Sequence, residues 1–380
     1  MQSDPDIKLN PRLTRRLMIT RSLQLAGLAS LGGVAAACGS GSGSSSSAAS
    51  SAPASQAPLT GEVIFMNYPG WIGKNEVKNF QAANPGVTVK QVEGLTSGVS
   101  AAAAQISQNR DSYDMSLGGP VLGEQLEQGD LLQPVDFANI PNIKYVGQHF
   151  RDAYPWGPPT DFGKTGIGYR TDMVTDEITS WADLWNLAPK YSGKIVFVDF
   201  DVDVLGAALL YKGHSVNSTD PGELDEAKQA LLEIKPHLLA FAPTDITKPM
   251  LKGEAAITVD YDYDIGAASE SNPKVQWVAP SEGMPAYLDG WLAIKGTDRL
   301  PEVEAFMDFH LDPKNYADFI NATGSAYVIQ DAEPYIKPAI VNNPSLKYDP
   351  DTVDTIEFEK FLGAEATKLR SQIWEEVKAA

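Results

Sequence analysis

Acidic side chains lie close to aromatic ones at three places in the sequence, each beside a short apolar run. The three clusters are the spaced aspartates Asp199, Asp201 and Asp203, the alternating segment Asp260–Asp264, and the pair Tyr287 and Asp289. A buried ammonium group needs a charged partner, which a carboxylate can supply. Aromatic rings pack on methylene groups and attract a cation to their faces. The clusters therefore indicate a cleft that holds a small organic cation.

Each cluster also has a simpler interpretation, because acidic loops are commonly solvated and tyrosines at strand ends commonly pack. On a continuing strand, Tyr261 and Tyr263 would share one face of the sheet. The spacing of Asp199, Asp201 and Asp203 resembles the start of a calcium-binding loop. The glycine and the terminal glutamate of such a loop are missing. We therefore expect no metal site.

Motifs of catalysis are incomplete in this chain. The segment 213–217 resembles a nucleophile elbow, but its last glycine is absent and a helix precedes it where a strand is needed. The four histidines are scattered, and neither a Walker loop nor a dinucleotide-binding glycine pattern occurs. The sequence therefore predicts neither an enzyme nor a cofactor. An exported lipid-anchored hydrolase is the alternative from another functional class.

Strand and helix patterns alternate along most of the chain. Strands are predicted at 61–67, 87–92, 113–117, 166–170, 194–198 and 255–259. Helices are predicted at 75–83, 101–108, 180–185, 204–211, 222–234, 301–309 and 313–321, with a last one from about Thr352 to Val377. Such alternation predicts an α/β fold with mostly parallel sheets flanked by helices.

Two successive α/β runs indicate two lobes in a clamshell. The first lobe is expected at 59–165 plus about 289–324, and the second at 166–288 plus about 325–380. Crossover segments are expected near 162–168 and 285–291. Ligands of such folds bind between the lobes, near the carboxyl ends of the strands. All three acidic clusters are expected there.

The first 37 residues resemble a signal peptide of the twin-arginine type. Arg15 and Arg16 precede a Gly- and Ala-rich apolar run from Leu23 to Ala37, and the only cysteine, Cys38, follows it. A run of this length is shorter than the roughly 20 residues that span a bilayer. Small residues before a cysteine match a lipobox, which predicts lipid attachment at Cys38 and anchoring to a membrane.

Residues 38–58 are rich in Ser, Gly and Ala, a composition typical of a flexible tether. The whole chain carries a formal charge of −19. Five basic and two acidic residues before Cys38 contribute +3, so about −22 belongs to the remainder. A surface this acidic disfavours nucleic acid and is compatible with a cationic ligand.

From about residue 60 onward the chain resembles the spermidine/putrescine-binding proteins of bacterial ABC transporters. The resemblance rests mainly on the segments 178–185, 191–194, 219–228, 238–241 and 249–254. Much of this is scaffold of the lobes. The resemblance implies a type II-like periplasmic-binding-protein clamshell that is a monomer. It also implies delivery of a polyamine or related organic cation to a permease.

The resemblance also implies a set of ligand-binding residues. Tyr68 and Trp71 match aromatic residues that stack on the ligand chain, and Asp289, two residues after Tyr287, matches the aspartate that binds an amino group. Tyr261 stands where the family has a tryptophan.

Other positions depart from the family pattern. A pair of family acids falls on Phe200 and Asp203, and a late glutamine falls near Glu359. A serine and a tyrosine of the first lobe fall on Gly119 and Val121. Capture of a cation is therefore expected to be retained, while recognition of ligand length is altered. Asp260 and Asp262 are second choices as ligand groups.

Overall fold

The structure is a computed structural model that describes residues 58–95, 99–242, 246–346 and 355–380. One compact unit runs from Thr60 to Ala380. The predicted signal peptide, the lipidation residue Cys38 and the tether up to residue 57 lie outside the described residues. Within the described part, no helix is both long and apolar enough to cross a membrane.

The chain alternates between strands and helices over most of its length. The strands are β1 (Gly61–Asn67), β2 (Val87–Glu93), β3 (Met115–Gly118), β4 (Pro159–Arg170), β5 (Ile195–Val198), β6 (Leu238–Ala242), β7 (Ile257–Tyr261), β8 (Val275–Val278), β9 (Met284–Ala293), β10 (Ala326–Tyr327) and β11 (Ile356–Phe358).

Helices follow most of the strands. They are α1 (Glu76–Ala83), α2 (Val99–Gln108), α3 (Pro120–Gln128), α4 (Gln148–Ala153), α5 (Trp181–Leu187), α6 (Asp201–Tyr211), α7 (Pro221–Ile234), α8 (Lys248–Lys252), α9 (Asp262–Ser271), α10 (Leu300–His310), α11 (Pro313–Thr323), α12 (Pro338–Val341) and α13 (Gly363–Ala379).

The strands lie in the order β2-β1-β3-β9-β4-β7-β5-β6. β1 pairs in parallel with β2 and β3, and β5 pairs in parallel with β6 and β7. The long strands β4 and β9 pair antiparallel with each other, β9 with β3, and β4 with β7. The fold is therefore the predicted two-lobed α/β clamshell. Each sheet is mixed, because β4 and β9 run against its parallel core.

The parallel cores are buried on both faces. Val63, Ile64, Phe65 and Met66 of β1 are consecutive and all buried, as expected for a strand covered by helices on both sides. Helix α6 is buried from Asp203 to Leu210, which explains why its sequence is apolar all round. It packs against α7 and β9 and so brings its first turn to the crossover strands.

The structure corrects two local predictions. The last helix was expected from about Thr352, but α13 begins at Gly363, and the segment before it forms β11 beside β9. The strand predicted at 255–259 is β7, which runs from Ile257 to Tyr261. Because α9 begins at Asp262, Tyr261 and Tyr263 do not lie on one continuing strand.

Candidate functional site

The candidate site is built on the strands that join the two sheets. Asp161 of β4 pairs with Asp289 of β9, and Gly163 pairs with Tyr287. Further along β4, Thr165 pairs with Tyr261 of β7. Cross-strand partners share a face, as do residues two apart on one strand. One face therefore carries a continuous row, here called the binding row: Asp161, Gly163, Thr165, Tyr261, Tyr287 and Asp289.

Two carboxylates lie at the first end of the binding row. Asp161 is fully buried, and Asp289 is 8% exposed. The indole Nε1 of Trp71 donates to Oδ2 of Asp161 at 3.2 Å, and the hydroxyl of Thr160 donates to Oδ1 at 2.9 Å. Burial raises the pKa of Asp161 to about 6, against these two hydrogen bonds, which lower it. Burial and the neighbouring Asp161 raise the pKa of Asp289 well above its ordinary value.

A third carboxylate lies at the other end of the binding row. Asp203 occupies the first turn of α6 and is buried. It accepts hydrogen bonds from the hydroxyl of Thr165 and from that of Tyr261, the latter at 2.7 Å. Burial raises the pKa of Asp203, against both hydrogen bonds. Thr165 and Tyr261 therefore fix this carboxylate at the second end of the row.

Four aromatic rings form a continuous wall over the site. Tyr261 and Tyr263 stack with ring centres 5.4 Å apart and planes 7° from parallel. Trp71 meets Tyr263 edge-on at 5.9 Å, and Tyr287 meets Tyr261 edge-on at 5.9 Å. Such rings offer apolar faces to methylene groups and electron-rich faces to cations. The wall consists of residues from β7, β9, α9 and the loop after β1.

The ring of Tyr287 lies close to the backbone of β4 at Gly163. A Cβ atom at Gly163 would approach the Tyr287 ring to 2.3 Å, so this position has to be glycine. The hydroxyl oxygen of Tyr287 is buried, and no described residue forms a hydrogen bond with it. Leaving a buried hydroxyl unpaired is costly. This hydroxyl is therefore available to a ligand.

The loop after β1 brings two aromatic residues to the first acidic end. The side chain of Asn67 donates to the carbonyl of Trp71 at 2.7 Å and accepts from the backbone N–H of Tyr68 at 2.8 Å. Burial raises the pKa of Tyr68, and among the charges that raise it further the largest effect comes from Asp289. Tyr68 and Trp71 therefore lie beside the same pair of carboxylates.

Glu359 lies between the two acidic ends. Its backbone N–H donates to the carbonyl of Ala286 at 3.0 Å, next to Tyr287. Its side chain is half-buried. Desolvation, then the charges of Asp203 and Asp289, raise the pKa of Glu359, while Arg370 opposes them. The pKa of this one carboxyl group is therefore raised by the acids at both ends of the row.

Within the described part of the chain, no positively charged side chain balances these acids. Lys164 follows Gly163 on β4 and so lies on the opposite face, where its Nζ is 3.4 Å from Oδ2 of Asp262. The guanidinium of Arg370 donates to the carbonyls of Val216 and Ser218. Among the described residues, none forms an ion pair with the carboxylates of the site: Asp161, Asp203, Asp289 and Glu359.

The structure brings together every residue predicted to bind the ligand: Tyr68, Trp71, Asp203, Tyr261, Tyr287, Asp289 and Glu359. The second choices lie elsewhere. Asp262 pairs with Lys164, and Asp260 precedes Tyr261 on β7 and so lies on the other face of the sheet. Phe200 is 47% exposed, and its ring is 6.3 Å from that of Tyr261.

The aspartates after β5 separate from one another. Asp199 lies 3.7 Å from Lys378, and Asp201 accepts a hydrogen bond from the backbone N–H of Val202. Asp203 alone reaches the binding row. Across the part of the chain that the structure describes, no group of three or more carboxylate, imidazole or thiol side chains could hold a metal ion.

Two residues of the site were missed from the sequence. Asp161 lies 128 positions before its partner Asp289, in a segment with no periodic pattern. Tyr263 was noted, but its stacking on Tyr261 requires the helix that begins between them. A carboxylate directly before the predicted crossover segment 162–168 is the signal that could have pointed to Asp161.

A family profile agrees with this architecture. The profile of the bacterial extracellular solute-binding proteins matches residues 76–347, more than half of the chain. The chain belongs to this family.

The names of individual relatives are more specific than the family profile, because they state a ligand. A putrescine/cadaverine-binding protein of Pseudomonas aeruginosa is 26% identical over 342 residues, covering 86% of this chain and 96% of that protein. The spermidine/putrescine-binding periplasmic protein of Escherichia coli is 25% identical over 276 residues, covering 70% and 78%. The resemblance predicted from the sequence is thereby confirmed.

A solved structure shares the fold. It is a spermidine/putrescine ABC transporter substrate-binding protein from Streptococcus pneumoniae, with a TM-score of 0.74 and 23% identity. The match covers 84% of this chain and 98% of the other. The whole described unit therefore has the architecture of a solute-binding protein.

Proposed function

We propose that this protein captures a short aliphatic diamine outside the cytoplasmic membrane and delivers it to the permease of an ABC transporter. The observation that carries the proposal is the binding row, with buried carboxylates at both ends and no described cation to neutralise them. The names of the two bacterial relatives support the same class of ligand.

The charges of the site favour a ligand with two positive ends. Asp161 and Asp289 lie at one end of the row, and Asp203 lies at the other. Each buried carboxylate is costly unless it meets a cation, because charged groups lose their hydration in the interior. A diamine places one ammonium group at each end. Its methylene groups then lie against the wall of Trp71, Tyr263, Tyr261 and Tyr287.

The length of the row favours a short chain. Asp161 and Thr165 are four residues apart on β4, which corresponds to about 13 Å at the usual rise of a strand. If this backbone separation is taken as the distance between the two carboxylates, a charge-assisted hydrogen bond of about 2.8 Å at each end leaves roughly 7–8 Å between the two nitrogens. An extended chain of four or five carbons between two nitrogens spans about 6–8 Å with standard bond lengths. Putrescine and cadaverine are therefore the preferred ligands.

The lobes and the anchor complete the proposal. The expected lobes, 59–165 with 289–324 and 166–288 with 325–380, would close over the ligand and present one surface to the permease. Lipid on Cys38 would hold the protein at the outer side of the cytoplasmic membrane or in the periplasm, after export through the twin-arginine route.

Thermal-shift measurements on the full chain in detergent test this function. Putrescine, cadaverine, spermidine, amino acids, sugars and metal ions are compared as ligands. A ligand at 100 times its Kd adds about 2.7 kcal/mol to stability. Diamines should raise the melting temperature most. Stabilisation by a sugar or an amino acid, with none by diamines, would assign the fold to another solute.

A further inference from the structure

Asp161 and Asp289 form an unusual pair, because two like-charged residues face each other directly. They are register partners on adjacent antiparallel strands. Such partners have Cβ atoms about 4.5–5.5 Å apart, and like charges at these positions are destabilising. Both members of this pair are buried, Asp161 completely and Asp289 to more than nine-tenths. An arrangement of this kind is costly in the empty protein unless a bound group compensates it.

The hydrogen bonds of the two carboxylates are unequal. Asp161 accepts from Trp71 and Thr160, which fix its orientation. Asp289 is more than nine-tenths buried, yet among the described residues none donates a hydrogen bond to its carboxylate or pairs with it. An ionised carboxylate can accept about four hydrogen bonds. Asp289 therefore has its accepting capacity free for a ligand.

A third acceptor completes the arrangement. The hydroxyl of Tyr287 lies over Gly163, the position on β4 between Asp161 and Thr165. After desolvation, the charge of Asp161 is the largest influence that raises the pKa of Tyr287. This hydroxyl oxygen is one of the buried side-chain atoms that have no described hydrogen-bond partner. Asp161, Asp289 and Tyr287 thus surround one point at the first end of the row.

We propose that Asp161, Asp289 and the hydroxyl of Tyr287 form a three-acceptor socket for one unsubstituted primary ammonium group. A primary ammonium has three N–H donors, which matches the three acceptors. A tertiary ammonium has a single N–H and would leave two acceptors unpaired in a dry site, which is strongly unfavourable. This inference rests on the proposed function and narrows it: the ligand must carry a free primary amine at this end.

Selectivity between two ligands of equal charge tests the socket. Calorimetry compares putrescine with N,N,N′,N′-tetramethylputrescine on the full chain in detergent. The wild type should bind putrescine at least 100-fold more tightly. Asp161→Asn should weaken putrescine binding by tenfold or more and that of the tetramethyl ligand by a smaller factor, because both ligands lose the charge attraction but putrescine loses more hydrogen bonding. Glu357→Gln is the matched control, because Glu357 bonds Ser215, away from the row.

Two outcomes would overturn the socket while leaving the diamine function intact. One is equal affinity of the wild type for both ligands. The other is an Asp161→Asn variant that binds putrescine within threefold of the wild type.

A second measurement needs no ligand and separates failure of the socket from failure of the proposed function. Two facing carboxylates repel each other when both ionise, so Asp161→Asn should gain melting temperature over the wild type by several degrees more at pH 8 than at pH 5. The ionisable groups whose charges act on Asp161 or are influenced by it are Asp289, Tyr68, Tyr287, Tyr316 and His310. If the wild type binds no diamine, the proposed function fails. Equal pH dependence of the two melting curves would refute the pairing of Asp161 with Asp289, whatever the ligand.

Discussion

Putrescine should bind more weakly as the pH falls from 8 to 5. Its amino groups stay protonated over this range, so the change comes from the protein. Burial raises the pKa of Asp161 to about 6, and it raises that of Asp289 well above the ordinary value. A cation binds the ionised carboxylates, and a proton competes with it for the same oxygens. Lower pH therefore favours the proton.

The size of the effect follows from the pKa of Asp161. A single group with a pKa of about 6 that must lose its proton lowers the affinity at pH 5 about 11-fold below the limit at high pH. At pH 7 the same group costs only about a tenth of the affinity. Asp289 and Glu359 also have raised pKa values, so the total decrease at pH 5 should exceed tenfold.

Calorimetry at pH 5, 6, 7 and 8 measures this dependence. Each titration is repeated in two buffers of different ionisation enthalpy, because the difference in heat gives the number of protons released on binding. If Asp161 dominates, release should be greatest at pH 5, close to one proton, fall to about half a proton at pH 6, and be small at pH 8. Asp161→Asn should remove most of the dependence between pH 5 and 7, whereas Glu357→Gln should retain it.

The stability of the free protein should change in the opposite direction. A carboxyl whose pKa is higher in the folded state than in the unfolded chain stabilises the fold below its unfolded pKa, and this contribution is lost as the pH rises through the folded value. For Asp161 and Asp262, both with a pKa of about 6, the loss occurs between about pH 4 and pH 6. The melting temperature of the free chain should therefore fall over this range while the shift caused by putrescine grows. An affinity that is constant from pH 5 to 8, or higher at pH 5, would refute the reasoning.

Four further predictions concern single positions. Asp289→Ala should weaken putrescine binding by roughly 30-fold or more, since truncating one partner of a buried charge pair costs about 2–5 kcal/mol; calorimetry measures it, and a loss below threefold places Asp289 outside the site. Phe200→Asp should raise the affinity for spermidine relative to putrescine, because it adds a carboxylate beside Tyr261; an unchanged ratio in competition binding contradicts this role. Cys38→Ser should release the protein from the membrane or leave its signal attached, as fractionation and mass spectrometry show; a processed, membrane-bound variant counts against lipidation. Chelation should leave ligand binding unchanged, because Asp199, Asp201 and Asp203 point apart; loss of binding that calcium restores would contradict it.

The sequence predicted well those strands and helices that are marked by a periodic or continuous run of apolar residues. The apolar run of β1 and the amphipathic segment of α1 are both where hydrophobic periodicity placed them. The last helix was extended too far toward the N-terminus. Residues 356–358 form β11 because β9 offers an edge for pairing, and this partner lies about 70 positions earlier. Tertiary pairing of that kind leaves no mark in the local sequence.

The site was predictable in its chemistry but not in its full geometry. Tyr287 and Asp289 were found because an aromatic and an acid stand together beside an apolar run, and because an aspartate two residues after an aromatic matches the family pattern. Asp161 was missed because its importance comes from the register of β4 against β9, which sequence spacing does not encode. Trp71 was predicted from the family resemblance, but its hydrogen bond to a carboxylate 90 positions further on is likewise not encoded in sequence spacing.

The continuity of β4 has a mechanical consequence. This strand carries Asp161 at one end of the binding row and, four residues on, Thr165, which orients Asp203 at the other. A single extended strand keeps its length when the bodies attached to it rotate. The distance between the two charge-binding points would therefore act as a fixed ruler, the same in the open and the closed protein. Closure would add only the sides of the cavity, where rings of the two expected lobes meet, such as Trp71 and Tyr263, so ligand length would be selected before the lobes move.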